Sequence, residues 1–201
     1  MKKNKIFYAE KKGLTLIEIL VAIAISIVII AASYEVYNIS YKSYKKNYAM
    51  AELSQNARIA LERMSRDVRQ TMEILTDLPE NPDVGTPPSA IKFQDGHSYW
   101  ADGRIQYLTY YLSGTNLNRK ISHFTFTTPC ETAPPSTWVL FSARDALEQP
   151  PAECDNEDTP RAEKITNLQF WGTSVVTINL TVSDGTTTYN YQTKALGRNV
   201  Q

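Results

Sequence analysis

Glycine and proline are both absent from residues 14–78 of this chain of 201 residues. These two residues are the strongest breakers of regular structure, so their absence excludes a turn-rich fold over this stretch and predicts one long helix. We expect the helix to run from Leu14 to about Leu75 and to stop before the first proline, Pro79. All 10 prolines lie at Pro79 or beyond, so loops and turns are expected in the remainder of the chain.

The chain also lacks the short motifs that accompany common enzyme chemistry. It has no phosphate-cradling glycine loop, no G-x-S-x-G and no H-E-x-x-H sequence. Its two histidines, His97 and His123, stand in different segments without supporting catalytic residues, so each is expected to be an ordinary surface or strand residue. We therefore expect a protein that is not an enzyme and that needs no cofactor.

Metal-binding motifs are equally sparse, because the chain has only 2 cysteines, Cys130 and Cys154. They are too far apart for a zinc motif. The acidic run Asp155–Asp158 lacks a full calcium-binding loop and is expected to be a solvated loop. If the body of the protein lies outside the cytoplasm, a disulfide between the two cysteines is the favoured hypothesis, and two unrelated free thiols are the alternative.

The formal net charge of the chain is zero, but basic and acidic residues are unevenly distributed between residues 1–13 and the rest. Residues 1–13 carry five lysines and one glutamate, which leaves 16 basic and 20 acidic residues, a net charge of −4, in the remainder. This balance argues against a dedicated nucleic-acid-binding protein. The lysines also precede an apolar run, which favours a cytoplasmic N-terminus if that run crosses a membrane.

The apolar run extends over the 19 residues from Leu14 to Ala32, of which only Thr15, Glu18 and Ser26 are polar. As a helix it would span roughly 28 Å, close to the thickness of the hydrocarbon core of a bilayer. An ionised glutamate there costs about 2.5–3.5 kcal/mol on insertion scales, so we expect the Glu18 carboxylate to have a partner. An ordinary secretory signal or a plain single-pass anchor is the alternative interpretation of this run.

These N-terminal residues resemble the class III signal peptides of type IV pilins and of the pseudopilins of type II secretion, in the sequence Lys11-Lys12-Gly13-Leu14-Thr15-Leu16-Ile17-Glu18. The resemblance implies that a prepilin peptidase cuts between Gly13 and Leu14 and methylates the new amine of Leu14. It also implies that Glu18 pairs with the N-terminal amine of a neighbouring subunit. Leu14 is a departure, because phenylalanine is commoner at this position of the family.

The second half of the predicted helix has one apolar face, which we expect to pack on a sheet. Within it, Ala57–Gln70 resembles a pattern of the J-type minor pseudopilins of type II secretion and of the PilW-type minor pilins, as does the C-terminal segment Thr193–Asn199. Helical ion pairs are expected from Glu62 to Arg66 and from Arg63 to Asp67. The apolar face is formed by Met50, Leu53, Ala57, Leu61, Met64, Val68, Met72 and Leu75.

Five tyrosines recur at helical spacing between the two halves, on a face nearly opposite the apolar one, so they are not expected to enter the core. Two interpretations stay open: an aromatic belt where the helix leaves the bilayer, or contacts with neighbouring subunits of a fibre. We name this set the tyrosine stripe: Tyr34, Tyr37, Tyr41, Tyr44 and Tyr48.

Beyond Pro79 a proline-rich loop is followed by segments with a period of two. The clearest is a hairpin in which residues 176–183 turn at Asp184-Gly185 and return over residues 187–193. The predicted fold class is α+β and pilin-like, with a long N-terminal helix on an antiparallel sheet. Further strands are expected over Ala90–Gln94, Arg104–Leu112, Leu117–Ile121, Trp138–Ser142 and Lys164–Trp171.

We divide the chain into a leader (1–13), a membrane-spanning or fibre-core helix half (14–32), an amphipathic helix half (33–76) and a β-rich domain (77–201). The resemblance implies a minor pilin or pseudopilin that is anchored in the bacterial inner membrane and then drawn into a periplasmic or surface fibre. Its implied partners are the prepilin peptidase, other major and minor pilins or pseudopilins, and the inner membrane. The alternative function is a passively anchored, extracytoplasmic ligand-binding domain.

Overall fold

A computed structural model of the chain describes residues 13–96 and 104–197, which form two compact units that meet in sequence between Tyr48 and Ala49. His97 and the Arg198-Asn199 pair, which figured in the sequence predictions, lie outside the described residues. The described elements are one helix, α1 (Leu16–Gln70), eight strands and two short 3₁₀ helices (Cys130–Thr132 and Pro135–Thr137). The strands are β1 (Ile91–Gln94), β2 (Tyr107–Ser113), β3 (Asn116–Thr125), β4 (Trp138–Val139), β5 (Ala152–Ala162), β6 (Ile165–Trp171), β7 (Val175–Ser183) and β8 (Thr188–Leu196).

The helix α1 ends at Gln70, so the predicted end near Leu75 was wrong. Residues beyond Gln70 are extended because they pair with β1. The Leu75 N–H donates to the Lys92 carbonyl at 2.8 Å, and the Gln94 N–H donates to the Glu73 carbonyl at 2.8 Å. A tertiary backbone partner therefore overrides the helical propensity of this segment, which contains neither glycine nor proline.

The strands form two antiparallel sheets rather than the single sheet that was expected. The first has the order β1-β2-β3-β4, and β5 also pairs with β3. The second has the order β6-β7-β8 and contains the predicted hairpin at Asp184-Gly185. The α+β class is confirmed, and each strand predicted from its alternation is present with shifted ends.

One strand was missed, because the segment around Asp155–Asp158 was interpreted as a solvated acidic loop. It belongs to β5, which pairs with β3 through two irregularities in register. Cations on neighbouring strands and on β5 itself offset its charge: Lys120 pairs with Asp155 at 2.7 Å, and Arg161 pairs with Glu157 at 3.0 Å. Most of its side chains are exposed, so β5 lacks the apolar alternation by which a strand is recognised.

The core of the second unit lies between the C-terminal part of α1 and both sheets. The apolar face of the helix is confirmed from Leu53 to Val68, but Met50 is 44% exposed and Met72 lies beyond the helix end. The largest fully buried side chains come from both sheets and from the helix: Tyr107, Tyr110, Phe93, Phe170, Leu53 and Met64.

Candidate functional site

The bond between Gly13 and Leu14 lies just before the first turn of α1, in residues without regular secondary structure. Both residues are exposed, and apart from its chain neighbours no atom of the described residues lies within 4 Å of where a side chain on Gly13 would begin. A backbone segment that is exposed and free of helical hydrogen bonds is open to a peptidase.

Thr15 and Glu18 form a capping box at the start of α1. The N–H and the hydroxyl of Thr15 both donate to the Glu18 carboxylate oxygen Oε2, at 2.9 and 3.0 Å, and the Glu18 N–H donates to the Thr15 hydroxyl at 3.4 Å. This reciprocal pattern satisfies N–H groups that the first helical turn leaves without partners. The Thr-x-x-Glu spacing was visible in the sequence, but Thr15 was not among the predicted site residues.

The surface of α1 that follows is apolar and fully exposed. Every residue from Gly13 to Tyr37 is exposed. By length and composition the helix is long and apolar enough to cross a membrane, and its apolar stretch of 18 residues has no buried residue. Within the apolar run from Leu14 to Ala32, the Ser26 hydroxyl donates to the Ala22 carbonyl at 2.7 Å. Leaving this much apolar surface in water is unfavourable, so the segment is suited to a bilayer or to other helices.

The tyrosine stripe is exposed along its whole length, from 46% at Tyr41 to 66% at Tyr34 and Tyr44. The rings of Tyr37 and Tyr41 stack with centroids 6.1 Å apart, and those of Tyr44 and Tyr48 are 6.3 Å apart. Both interpretations of the stripe therefore remain open, since an aromatic belt and a subunit contact each need exposed rings.

The predicted helical ion pairs are replaced by a contact from α1 to the first sheet. The Asp67 carboxylate accepts hydrogen bonds from Arg119 Nε at 3.1 Å and from the Tyr110 hydroxyl at 2.7 Å. Among the described residues no ion pair within 4.0 Å joins Arg63 to Asp67 or Glu62 to Arg66. Burial, together with the Asp67 carboxylate, raises the pKa of Tyr110 far above its usual range, so its hydroxyl remains a donor.

Cys130 and Cys154 form a disulfide with a Cα–Cα distance of 5.9 Å. The bond joins β5 to the loop that leads to β4, beside the buried His123. The imidazole of His123 stacks on the Trp138 ring with centroids 4.3 Å apart, and its Nδ1 lies 2.8 Å from the Asn156 side-chain oxygen. Within residues 13–96 and 104–197, no group of three His, Cys, Asp or Glu residues is arranged to hold a metal ion.

The family model described as the prokaryotic N-terminal methylation motif matches residues 9–34 of the chain. No curated protein and no solved structure matches the chain. The matched segment contains the exposed Gly13–Leu14 bond, the Thr15–Glu18 capping box and the start of the apolar helix. The motif marks a pilin-like precursor that a prepilin peptidase processes and that is anchored in the inner membrane by its apolar helix. The match therefore supports the resemblance of this N-terminal segment to the type IV pilin and pseudopilin superfamily.

Proposed function

We propose that this chain is a minor pilin or pseudopilin, a non-catalytic subunit of a type IV pilus or of a type II secretion pseudopilus. The prepilin peptidase cuts after Gly13 and methylates the amine of Leu14. The Glu18 carboxylate then pairs with the N-terminal amine of a neighbouring subunit as the fibre grows. The subunit occupies the fibre tip, where it primes assembly.

The observation that carries the proposal is the carboxylate of Glu18 on a helix surface that is otherwise apolar and exposed. Among the residues that the structure describes, this carboxylate has only the neutral partner Thr15, which satisfies its hydrogen bonds but does not compensate its charge. A cation from another molecule is the group that compensates it, since two opposite charges attract strongly in a medium of low dielectric. In a passive membrane anchor such a carboxylate would only make insertion into the bilayer less favourable.

The minor-subunit assignment is supported by the resemblance of Ala57–Gln70 and Thr193–Asn199 to J-type and PilW-type subunits. The first of these segments supplies both the buried helix face and Asp67, which binds the first sheet. We further propose the division of the chain into a leader (1–13), a membrane or fibre-core half-helix (14–32), an amphipathic half-helix and a β-rich periplasmic or surface body.

The intact mass of the chain after co-expression with a prepilin peptidase tests the processing step. We expect the wild type to lose residues 1–13 and to gain one methyl group on Leu14, and Gly13→Ala to remain uncut. An uncut wild type, or a cut near Ala32, would contradict the proposal and would leave an anchored or secreted binding domain as the alternative.

The assembly step is tested with Glu18→Gln and Glu18→Ala in cells that build the fibre. Both variants should be cut and inserted into the membrane like the wild type, because the bond before Leu14 is unchanged. Both should then be missing from isolated fibres, since neither side chain carries a charge. Normal incorporation of Glu18→Ala would show that the ion pair is not required.

A further inference from the structure

A groove of about 930 Å³ lies between the C-terminal part of α1 and strand β8, within the second unit. The helix contributes a ridge of exposed charged side chains at Arg58, Glu62, Arg66 and Arg69, which follow one another at helical spacing. The strand contributes Tyr191 and Leu196. The Tyr191 hydroxyl and the Ser54 hydroxyl are 2.7 Å apart and tie the strand to the helix.

The strand that borders the groove is an unprotected sheet edge. In the described residues β8 pairs with β7 alone, over all nine residues from Thr188 to Leu196. Its other edge therefore presents a row of backbone N–H and C=O groups that no ladder among the described residues satisfies. The devices that usually block an edge are sparse, because β8 contains no proline or glycine and only one charged residue, Lys194.

The groove also has an excess of positive charge. Three arginines face one carboxylate, Glu62, and none of Arg58, Arg66 and Arg69 forms an ion pair in the part of the chain that the structure describes. This contrasts with Arg119, which does have a carboxylate partner. The three arginines span roughly 16 Å of helix, which equals about five residues of an extended strand.

We infer that this groove binds an extended, acidic polypeptide segment of another protein, which adds to β8 as a further antiparallel or parallel strand. The edge supplies backbone hydrogen bonds, and the arginines select carboxylates on the added strand. A small anion or a nucleic acid would use the arginines but would not form the backbone ladder that the strand edge offers. We take the protein that supplies this acidic segment to be another fibre subunit, and only this part of the inference rests on the proposed function.

The test measures binding of a fluorescent ten-residue peptide of alternating glutamate and valine to the full chain in detergent, by fluorescence anisotropy. We expect it to bind at least about tenfold more tightly than the same peptide with glutamine in place of glutamate, and to weaken as salt rises. Arg66→Glu should weaken binding by about tenfold, because an attractive charge becomes a repulsive one. Arg104→Glu is the matched control, since Arg104 is exposed but does not line the groove, and it should bind like the wild type.

A second experiment distinguishes strand addition from simple charge attraction. It uses peptides in which alternate backbone amide nitrogens are methylated. Only every second N–H of an added strand points at its neighbour, so methyl groups on one alternate set should abolish binding and those on the other set should leave it intact. Equal binding of both methylated peptides, insensitivity to Arg66→Glu, or no binding of the acidic peptide would each overturn the inference. None of these results concerns processing at Gly13, so failure of the groove and failure of the proposed function are distinguishable.

Discussion

The contact of Asp67 with Arg119 and Tyr110 leads to a quantitative prediction about how α1 is held on the first sheet. Replacing Asp67 by alanine removes the acceptor of two hydrogen bonds at 3.1 and 2.7 Å. The side chains of Arg119 and Asp67 are only 15% and 12% exposed, and Tyr110 is fully buried. Water therefore cannot readily replace the lost carboxylate, and both donors are left without a partner.

The expected cost follows from those burial values. An unpaired buried hydroxyl costs about 1–3 kcal/mol, and breaking a buried ion pair by removing one partner costs about 3–5 kcal/mol. Because the pair keeps some exposure and the two costs overlap, we expect Asp67→Ala to lower the free energy of unfolding by about 3 kcal/mol. For a domain of this size that corresponds to a fall in Tm of about 9 °C.

Thermal unfolding of the full chain in detergent, followed by tryptophan fluorescence, measures this effect. The control is Asp77→Ala, an exposed aspartate whose loss should change stability by less than about 0.5 kcal/mol. The double variant Asp67→Ala/Arg119→Met should recover part of the loss, because it leaves no unpaired guanidinium. A Tm shift of under about 2 °C for Asp67→Ala, or strict additivity in the double variant, would refute the reasoning.

Two further predictions concern the same unit. The double variant Cys130→Ser/Cys154→Ser removes a disulfide with a sequence separation of 24, so it should lower the free energy of unfolding by about 3–4 kcal/mol. Dithiothreitol should lower the Tm of the wild type to that of the variant. Equal Tm values of the two proteins without reductant would contradict the prediction. Hydrogen bonds from the Thr186 hydroxyl and from the N–H groups of Thr187 and Thr186 lower the pKa of Asp184 from 3.8 to about 2. Its contribution is therefore present above pH 3.8 and is lost as the pH falls to about 2. The Tm difference between wild type and Asp184→Asn should shrink over that range, whereas a difference that stays constant from pH 6 to about pH 2 would show that the turn does not depend on the charge.

The sequence by itself determined the parts of this protein that depend on local physics. The absence of glycine and proline after Gly13 correctly predicted a long helix up to Gln70, and the apolar run with Glu18 predicted a segment that is long and apolar enough to cross a membrane. Alternation of apolar and polar residues located the hairpin of β7 and β8, because the turn at Asp184-Gly185 and one buried face are both visible in the chain. The capping box of Thr15 and Glu18 was equally readable, since a capping box is a local motif.

Only the tertiary structure decided where α1 ends, that β5 is a strand, and which carboxylate Arg119 meets. Each of these depends on a backbone or a charge that is distant in sequence. The residues after Gln70 are extended because they hydrogen-bond to β1, and the acidic segment is a strand because it pairs with β3. Asp67 contacts Arg119 on the first sheet rather than its helical neighbour Arg63. The groove beside β8 also depends on tertiary packing, because Arg66 and Leu196 are distant in sequence and line the same groove only once the helix and the second sheet have packed together. Local propensity amounts to a few tenths of a kcal/mol per residue, whereas burial and backbone pairing contribute more, and they therefore prevail wherever the two disagree.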